Sequence, residues 1–377
     1  MRFRHPQGNF FPARSKTDGG RLGDGWNPPR KIPTEQILRV EWPAERSLAH
    51  WYRRPQVLLV NGDRLNLQIE QWDEEALRGK WPDNKDWPVL RIPLEFVKGV
   101  ILQPGVDLKE LAERQRRILD HKAAADLVWL KNGDQIGGQI LRLEHEKFLI
   151  QRDNAERPLP LQGMSLIAVN PQLSVTAPAS VPAKSAIVTL SNGSRLTVSN
   201  WARNGDRFAG ETFFKTPIDL PVSALASLRP VSADAVSIAD LEPVQFEHTP
   251  FLSSSTQLRK NLNVQQGPLV MHGREFPRGL GMQTRSSATY SLDGRFRLFL
   301  ATVGVDDLSG KRGSVQFRVL ADGQSIYQSD LRRGGSPPLS FPPLKVEGIR
   351  QLTLVVDFAD EGDVLDNADW GDALLIR

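Results

Sequence analysis

The last stretch of this chain decides its fold. It begins with GREFPRGLG (Gly273–Gly281) and ends with DNADWGDA (Asp366–Ala373). Between these ends lie three segments rich in apolar and β-branched residues, which are typical of strands: FLATVGVDD (299–307), VQFRVLADG (315–323) and LTLVVD (352–357). The Gly-Leu-Gly sequence lacks the third glycine of a dinucleotide fingerprint, and its glycines instead permit a tight turn into the next strand. The pattern predicts a module of short strands.

In this order and spacing, the motifs resemble those of the NPCBM/NEW2 domain. The resemblance covers roughly Ile238 to Arg377. Members of that family are regarded as carbohydrate-binding modules with a galactose-binding-like jelly roll. The resemblance therefore implies a β-sandwich at residues 238–377 and noncatalytic glycan binding by that module.

The composition is that of a soluble, turn-rich protein with several domains. A chain of 377 residues with 40% hydrophobic and 24% charged residues is too long for one ordinary core. The absence of cysteine excludes disulfides, thiolate nucleophiles and cysteine-ligated zinc. No apolar run approaches the length of a membrane span. The net charge of +4 is small for this length and is no nucleic-acid signature.

Upstream of the module, a strand–turn–strand pattern occurs three times. Each copy centres on an Asn-Gly pair flanked by apolar residues, which is a strong hairpin signal. The pairs are Asn61-Gly62, Asn132-Gly133 and Asn192-Gly193. Because such a pair suits a two-residue turn, we expect a positive φ at both positions. Each copy continues into a Pro-containing strand and a further apolar strand.

Four or five short strands in about 45 residues resemble the small barrels of the SH3-like or Sm-like class. We predict three such barrels, at residues 38–105, 126–170 and 185–230. The first contains a polar insertion with Trp72, Trp81 and Trp87, which either cap the barrel or bind a ligand. The overall prediction is an all-β chain in which three small barrels precede a jelly roll.

Three connecting segments complete the organisation. Residues 1–37 show neither helical nor strand periodicity and indicate a disordered or extended basic arm. Residues 171–184, rich in Ala, Pro and Ser, indicate a linker. Residues 106–125 predict a connecting amphipathic helix that packs on a neighbouring barrel. Its apolar face comprises Leu108, Leu111, Ala112, Gln115, Ile118 and Leu119.

Sugar binding combines aromatic faces with polar groups that pair with hydroxyls. The module is poor in aromatic residues, which favours a site dominated by hydrogen bonds. Trp370 lies within the family motif, where it serves either the core or a ligand. The candidate ligand-binding residues are Arg274, Arg278, Gln283, Arg285, Arg332, Arg333, Asn367 and Trp370.

An acidic cluster lies near the end of the chain, at residues 357–372. Crowded carboxylates are tolerated when solvent screens them, when arginines pair with them, or when a calcium ion collects their oxygens. The resemblance to galactose-binding-like jelly rolls raises the calcium alternative, with Asp306, Asp307, Asp366 and Asp369 as candidate ligands. A glycosidase pair needs a deep cleft, so we assign these carboxylates no catalytic role.

The leading hypothesis is a noncatalytic protein that binds a glycan through its jelly roll, with the barrels as spacers or contact modules for other proteins. The alternative is a protein-interaction scaffold without sugar binding. We predict no catalytic residues, no nucleic-acid partner and no membrane span. The isolated histidines lack ligand spacing, so we assign them no metal. The chain shows no export signal as written, yet glycan binding leads us to expect an extracytoplasmic or cell-surface location.

Overall fold

The fold is taken from a computed structural model. It describes residues 37–42, 51–82, 84–176, 184–250, 256–359 and 365–377, together with the backbone of two short strands at residues 2–4 and 10–12. Most of the predicted N-terminal arm, and residues 177–183 of the predicted linker, lie outside the described residues. Within the arm, β1 (Arg2–Arg4) pairs with β2 (Phe10–Pro12) and with β3 (Arg39–Glu41).

Three units with a similar strand order follow. In each unit a first strand forms a hairpin with a second, and a 3-10 turn after a proline leads into the last strand. Between the hairpin and that turn lie three further strands in the first unit and two in each of the others. The first unit comprises β4 (Gln56–Leu59), β5 (Arg64–Leu65), β6 (Gln68–Trp72), β7 (Ala76–Lys80), β8 (Leu90–Pro93) and β9 (Val97–Ile101). The second comprises β10 (Asp126–Leu130), β11 (Gln135–Glu144), β12 (Lys147–Arg152), β13 (Ala155–Pro160) and β14 (Met164–Ala168). The third comprises β15 (Ala186–Leu190), β16 (Arg195–Asn204), β17 (Arg207–Thr212), β18 (Pro217–Pro221) and β19 (Leu225–Pro230).

The last strand of each unit returns to pair with the first, as β9 does with β4. Strand β14 of the second unit also pairs with β9 of the first, and β16 of the third unit meets β5. The units therefore share a continuous hydrogen-bonded ladder. They also share one apolar core, to which Trp72, Trp81 and Trp87 contribute. The tryptophans of the insertion thus serve packing.

The Asn-Gly turns differ from the expected two-residue type. In the second unit the Gly133 amide donates to the Leu130 carbonyl, and Gly133 has a φ of +92°. Asn132 is not among the residues with positive φ, and its side-chain oxygen accepts a bond from the Asp134 amide at 3.1 Å. This geometry is a type I turn followed by a left-handed glycine. The other two copies repeat it, so our expectation of positive φ at both positions was wrong for the asparagine, which caps the turn instead.

The connecting helix α1 (Leu108–Leu119) begins at Asp107, whose carboxylate accepts a bond from the Glu110 amide. Leu111 and Ile118 on its apolar face lie in a cluster with Ile101 and Leu166 of the first two units. Val270 of the C-terminal module belongs to the same cluster. The helix therefore contacts both the first two units and the module.

The C-terminal module is a sandwich of two antiparallel sheets. One sheet contains β20 (Ala235–Ser237), β22 (Arg259–Lys260), β25 (Gly279–Gln283), β27 (Leu298–Val305), β31 (Leu339–Ser340), β32 (Leu344–Lys345) and β34 (Asn367–Ile376). The other contains β21 (Gln245–His248), β26 (Ser286–Ser291), β28 (Ser314–Ala321), β29 (Gln324–Gln328), β30 (Arg332–Arg333) and β33 (Gln351–Phe358). A separate hairpin consists of β23 (Leu269–Met271) and β24 (Arg274–Phe276). Inward residues of both sheets form one core. The predicted all-β class, with a connecting helix and a terminal β-sandwich, is confirmed.

Candidate functional site

Several predicted ligand residues gather at one end of the sandwich, which we call the loop end. Gln283 ends β25 opposite Asn367 at the start of β34. Arg285 lies in the turn that carries the chain from one sheet to the other, just before β26. Arg332 and Arg333 form β30, which pairs with the first residues of β28. These strand ends are adjacent because neighbouring antiparallel strands end and begin at the same edge.

An arginine–aspartate group forms the exposed part of the loop end. The Arg285 side chain is 60% exposed, and its Nε lies 3.6 Å from a carboxylate oxygen of Asp357. Arg318, on the neighbouring strand, pairs with the other oxygen of Asp357. This group places guanidinium donors beside a carboxylate acceptor, which is the arrangement that pairs with adjacent sugar hydroxyls. Asn367 is buried at this end, with 5% exposure.

Trp370 occupies the sandwich core. It is fully buried, and its ring meets that of Phe317 edge-on, with 5.2 Å between centroids. Phe299 and Phe341 flank it on other sides. The prediction of Trp370 as a ligand residue is therefore corrected, because a buried ring offers no face to a sugar. Trp370 has the core role, which was the other alternative.

Arg274 and Arg278 lie away from the loop end. Arg274 is in the β23–β24 hairpin and donates to Glu41 of β3 at 2.7 Å. Arg278 precedes β25 and pairs with Asp240. Arg274 thus reaches from the module to the strand that borders the third barrel unit. The structure separates these two arginines from the other candidates.

The charged contacts between the module and the three units are buried. Arg64 of the first unit donates two bonds to Glu275, at 2.9 and 2.6 Å, and Arg195 of the third unit donates another at 2.9 Å. Burial alone favours the neutral form of Glu275, but the two guanidinium groups outweigh it and hold its pKa below the usual value.

Asp372 of β34 has a similar environment. It accepts bonds from Arg39 of β3 and Arg229 of β19. Burial opposes its charge, yet Arg229 and Arg39 lower the pKa of Asp372 well below its ordinary range. These ion pairs join residues up to 333 positions apart, and no local pattern in the sequence pointed to them.

The four candidate calcium ligands are mostly engaged by hydrogen-bond donors. Asp366 accepts from Thr284 and from the Ser314 amide. Both oxygens of Asp307 accept from backbone amides of the β23–β24 turn at 2.7 Å. Calcium takes six to eight oxygens, and among the described residues no group of three or more acidic or histidine side chains is arranged to hold a metal. The donor set does not fit a calcium site built from these four carboxylates.

Asp306 and Asp369 form a buried carboxyl pair. Asp306 accepts from the Leu308 amide and from Asn263. Among the described residues, no nitrogen group donates to either oxygen of Asp369. Burial raises the pKa of Asp306 to about 6. Burial and the neighbouring Asp306 raise the pKa of Asp369 well above its usual value. Two carboxyl groups in contact are compatible with burial when they share a proton.

Part of this chain is similar to parts of known proteins. A "Putative endo-alpha-N-acetylgalactosaminidase" from Renibacterium salmoninarum is 32% identical over 107 residues, which cover 28% of this chain and 7% of that protein. Alpha-1,3-galactosidase B from Akkermansia muciniphila is 29% identical over 107 residues, or 28% of this chain and 13% of that protein. The chain thus matches a small part of these longer relatives. The structure of a CBM51 module from Clostridium perfringens GH95, in complex with methyl-galactose, aligns with a TM-score of 0.34 at 23% identity, over 37% of this chain and 99% of that one.

No helix within the described part of the chain is long and apolar enough to cross a membrane. The family comparison concerns the sandwich alone. Residues 235–376 match the family model of the NPCBM/NEW2 domain, which confirms the resemblance predicted from the sequence.

Proposed function

We propose that this protein binds a glycan through its C-terminal module and that it does so without catalysis. The observation that carries the proposal is the match of residues 235–376 to the NPCBM/NEW2 domain. The loop end supports it, because the exposed Arg285 and the half-buried Asp357 and Arg318 offer donors and an acceptor side by side. With Trp370 buried, the site relies on hydrogen bonds rather than on ring stacking.

The preferred sugar follows from the relatives. The two curated proteins that are similar to 28% of this chain are named for action on N-acetylgalactosamine and α-1,3-galactose linkages. We infer that the glycan bound here carries a terminal α-linked galactose or N-acetylgalactosamine. Such glycans lie outside cells, which supports an extracytoplasmic location.

The barrels hold the module in a fixed position in this proposal. The buried pairs of Glu275 with Arg64 and Arg195, and the helix cluster around Val270, fix one part on the other. The three units therefore act as a rigid spacer.

Titration calorimetry of the full chain with α-galactose- and α-N-acetylgalactosamine-terminated oligosaccharides tests the site. We expect Arg285→Ala to weaken binding about 10-fold or more, as for the loss of one charge-assisted hydrogen bond. Arg295→Ala is the matched control, because Arg295 is 57% exposed in the turn before β27, at the opposite end of the sandwich. Equal affinities for the two variants would remove the loop end as the site, and hydrolysis of the sugar would refute the noncatalytic role.

A further inference from the structure

A cavity of about 170 Å³ lies between the barrels and the module, away from the loop end. Its walls come from four parts of the chain, one of which is the third unit, with Thr189, Gly193, Ala226 and Ser227. Arg39, Glu41 and Trp42 belong to β3 and the residue after it, and Trp51 precedes the first unit. Arg274 and Glu275 come from the module's hairpin. The cavity exists because these parts are docked together.

The ion pairs that reach this cavity do not balance. Its charged lining residues are Arg39, Glu41, Arg274 and Glu275. Glu275 pairs with Arg64 and Arg195 in one network. In a second network, Glu41 and Asp372 pair with Arg39, Arg229 and Arg274. In this second network three positive charges face two negative ones among the described residues, in a region where burial makes unbalanced charge costly.

Two further features favour an anion in the cavity. The Nε of Arg274 is buried without a hydrogen-bond partner, although a third of the side chain is exposed. Burial and the charge of Arg39 lower the pKa of Arg274 to about 10, which is the response of a cation that lacks full compensation. Thr189 and Ser227 are cross-strand neighbours that line the same cavity and bring hydroxyl groups to it.

We propose that this cavity binds a small oxyanion, namely a carboxylate or sulfate group. Its volume is well above what a single water molecule needs. That space suits a single charged group, either as a free ion or as the substituent of an acidic sugar. Arginine is suited to both, because its planar fork pairs with two oxygens at once. The site is separate from the loop end, so its existence does not depend on neutral-glycan binding there.

Calorimetric titration of the full chain tests the proposal at constant ionic strength. The probes are sulfate, acetate and glucuronate, with glucose as the neutral counterpart of glucuronate. We expect at least one anion to bind and glucose not to bind at this site. Tighter binding of glucuronate than of acetate would identify an acidic sugar as the source, and a preference for sulfate or acetate would identify the free ion. An absence of heat with all three anions overturns the proposal.

The Arg274→Gln variant tests the location. Losing one charge-assisted hydrogen bond predicts about 10- to 100-fold weaker anion binding. Arg142→Gln is the control, because Arg142 is an exposed, ion-paired arginine on β11 of the second unit. Unchanged binding in Arg274→Gln overturns the proposal.

A second measurement tests the location of the anion even if Arg274→Gln does not fold. In crystals of the unaltered chain soaked in selenate, anomalous scattering should show an ion against Arg274 and Thr189. Selenate found only elsewhere on the protein would contradict the assignment.

Discussion

At the scale of single residues, the Asp306–Asp369 pair is the most unusual feature of the module. Both carboxyl groups are about 1% exposed, and no cationic side chain pairs with Asp369. Since the folded-state pKa values lie above the usual value of about 3.9, folding binds a proton that the unfolded chain releases. The pair's contribution to stability is therefore complete below about pH 4 and is lost as the pH rises through about 6 and beyond.

Replacing Asp369 by asparagine should remove this pH dependence. The amide is neutral at every pH and can donate to Asp306, so we expect the free energy of unfolding at pH 8 to rise by about 1–2 kcal/mol. Urea unfolding at pH 4.5 and pH 8 measures this change in the free energy of unfolding. Asp366→Asn is the control, because Asp366 accepts bonds from Thr284 and Ser314 and should lose stability instead.

The same variant distinguishes a shared proton from a metal. Destabilisation of Asp369→Asn at pH 8, together with loss of a calcium-dependent shift in Tm, would show that a cation and not a proton holds the pair. No effect of calcium or of a chelator on the Tm of the unaltered chain is the result that the proton account predicts.

At the scale of elements, the three hairpin turns depend on their glycines to different degrees. Gly133 has a φ of +92° but open space around it. Gly193 has a φ of +87°, and an added Cβ would lie 2.3 Å from the Cβ of Trp51. The turn of the third unit therefore also contacts Trp51, which lies before the first unit.

We expect Gly133→Ala to lower the free energy of unfolding by about 1–2 kcal/mol, the cost of a left-handed conformation. Gly193→Ala should cost more, because Trp51 must also move. Gly163→Ala is the control, since Gly163 has no positive φ and an added Cβ would meet nothing within 4 Å in the described structure. Denaturant unfolding measures all three, and equal losses for Gly133→Ala and Gly193→Ala would refute the contact with Trp51.

Elements with a local signal were predictable from the sequence. The Asn-Gly pairs located all three hairpins, and the apolar spacing of Leu111 and Ile118 located the helix face. The turn type was missed because an asparagine that caps a turn and one that adopts a positive φ have the same sequence. Trp370 was ambiguous for a similar reason, since strand alternation does not distinguish a core ring from an exposed one.

At the scale of the whole molecule, ion pairs join the module to β3 and the three units. Asp372 is 2% exposed and lies between Arg39 and Arg229, which come from different strands. No local pattern in the sequence indicates this contact, because its partners are up to 333 residues apart. Residues that meet only after both parts have folded leave no periodic or spacing signal.

Asp372→Asn should destabilise the assembled chain by about 3–5 kcal/mol, because it leaves buried arginines without their counter-charge. The exposed Asp293 provides the control, and Asp293→Asn should change stability by no more than about 0.5 kcal/mol. Thermal unfolding measures both. A loss for Asp372→Asn no larger than that for Asp293→Asn would contradict the account of the interface.

The interface also predicts a response to acid. The pKa values of Asp372 and Glu275 are lowered by folding, so their contribution to stability is present above about pH 4 and is lost as the pH falls below it. This pH dependence is opposite in sign to that of the Asp306–Asp369 pair. The free energy of unfolding of the Asp369→Asn variant, measured between pH 2 and pH 6, reports on the interface without the Asp306–Asp369 pair. A free energy that rises towards pH 2 would contradict the lowered pKa values of Asp372 and Glu275.

The central claim is that the module binds a glycan, and a glycan-array screen of the full chain, in calcium and in chelator, tests it most directly. We predict binding to glycans with terminal α-galactose or α-N-acetylgalactosamine under both conditions, reduced in Arg285→Ala and retained in Arg295→Ala. A folded chain that binds no glycan in either condition would contradict the claim and would favour a protein-interaction scaffold.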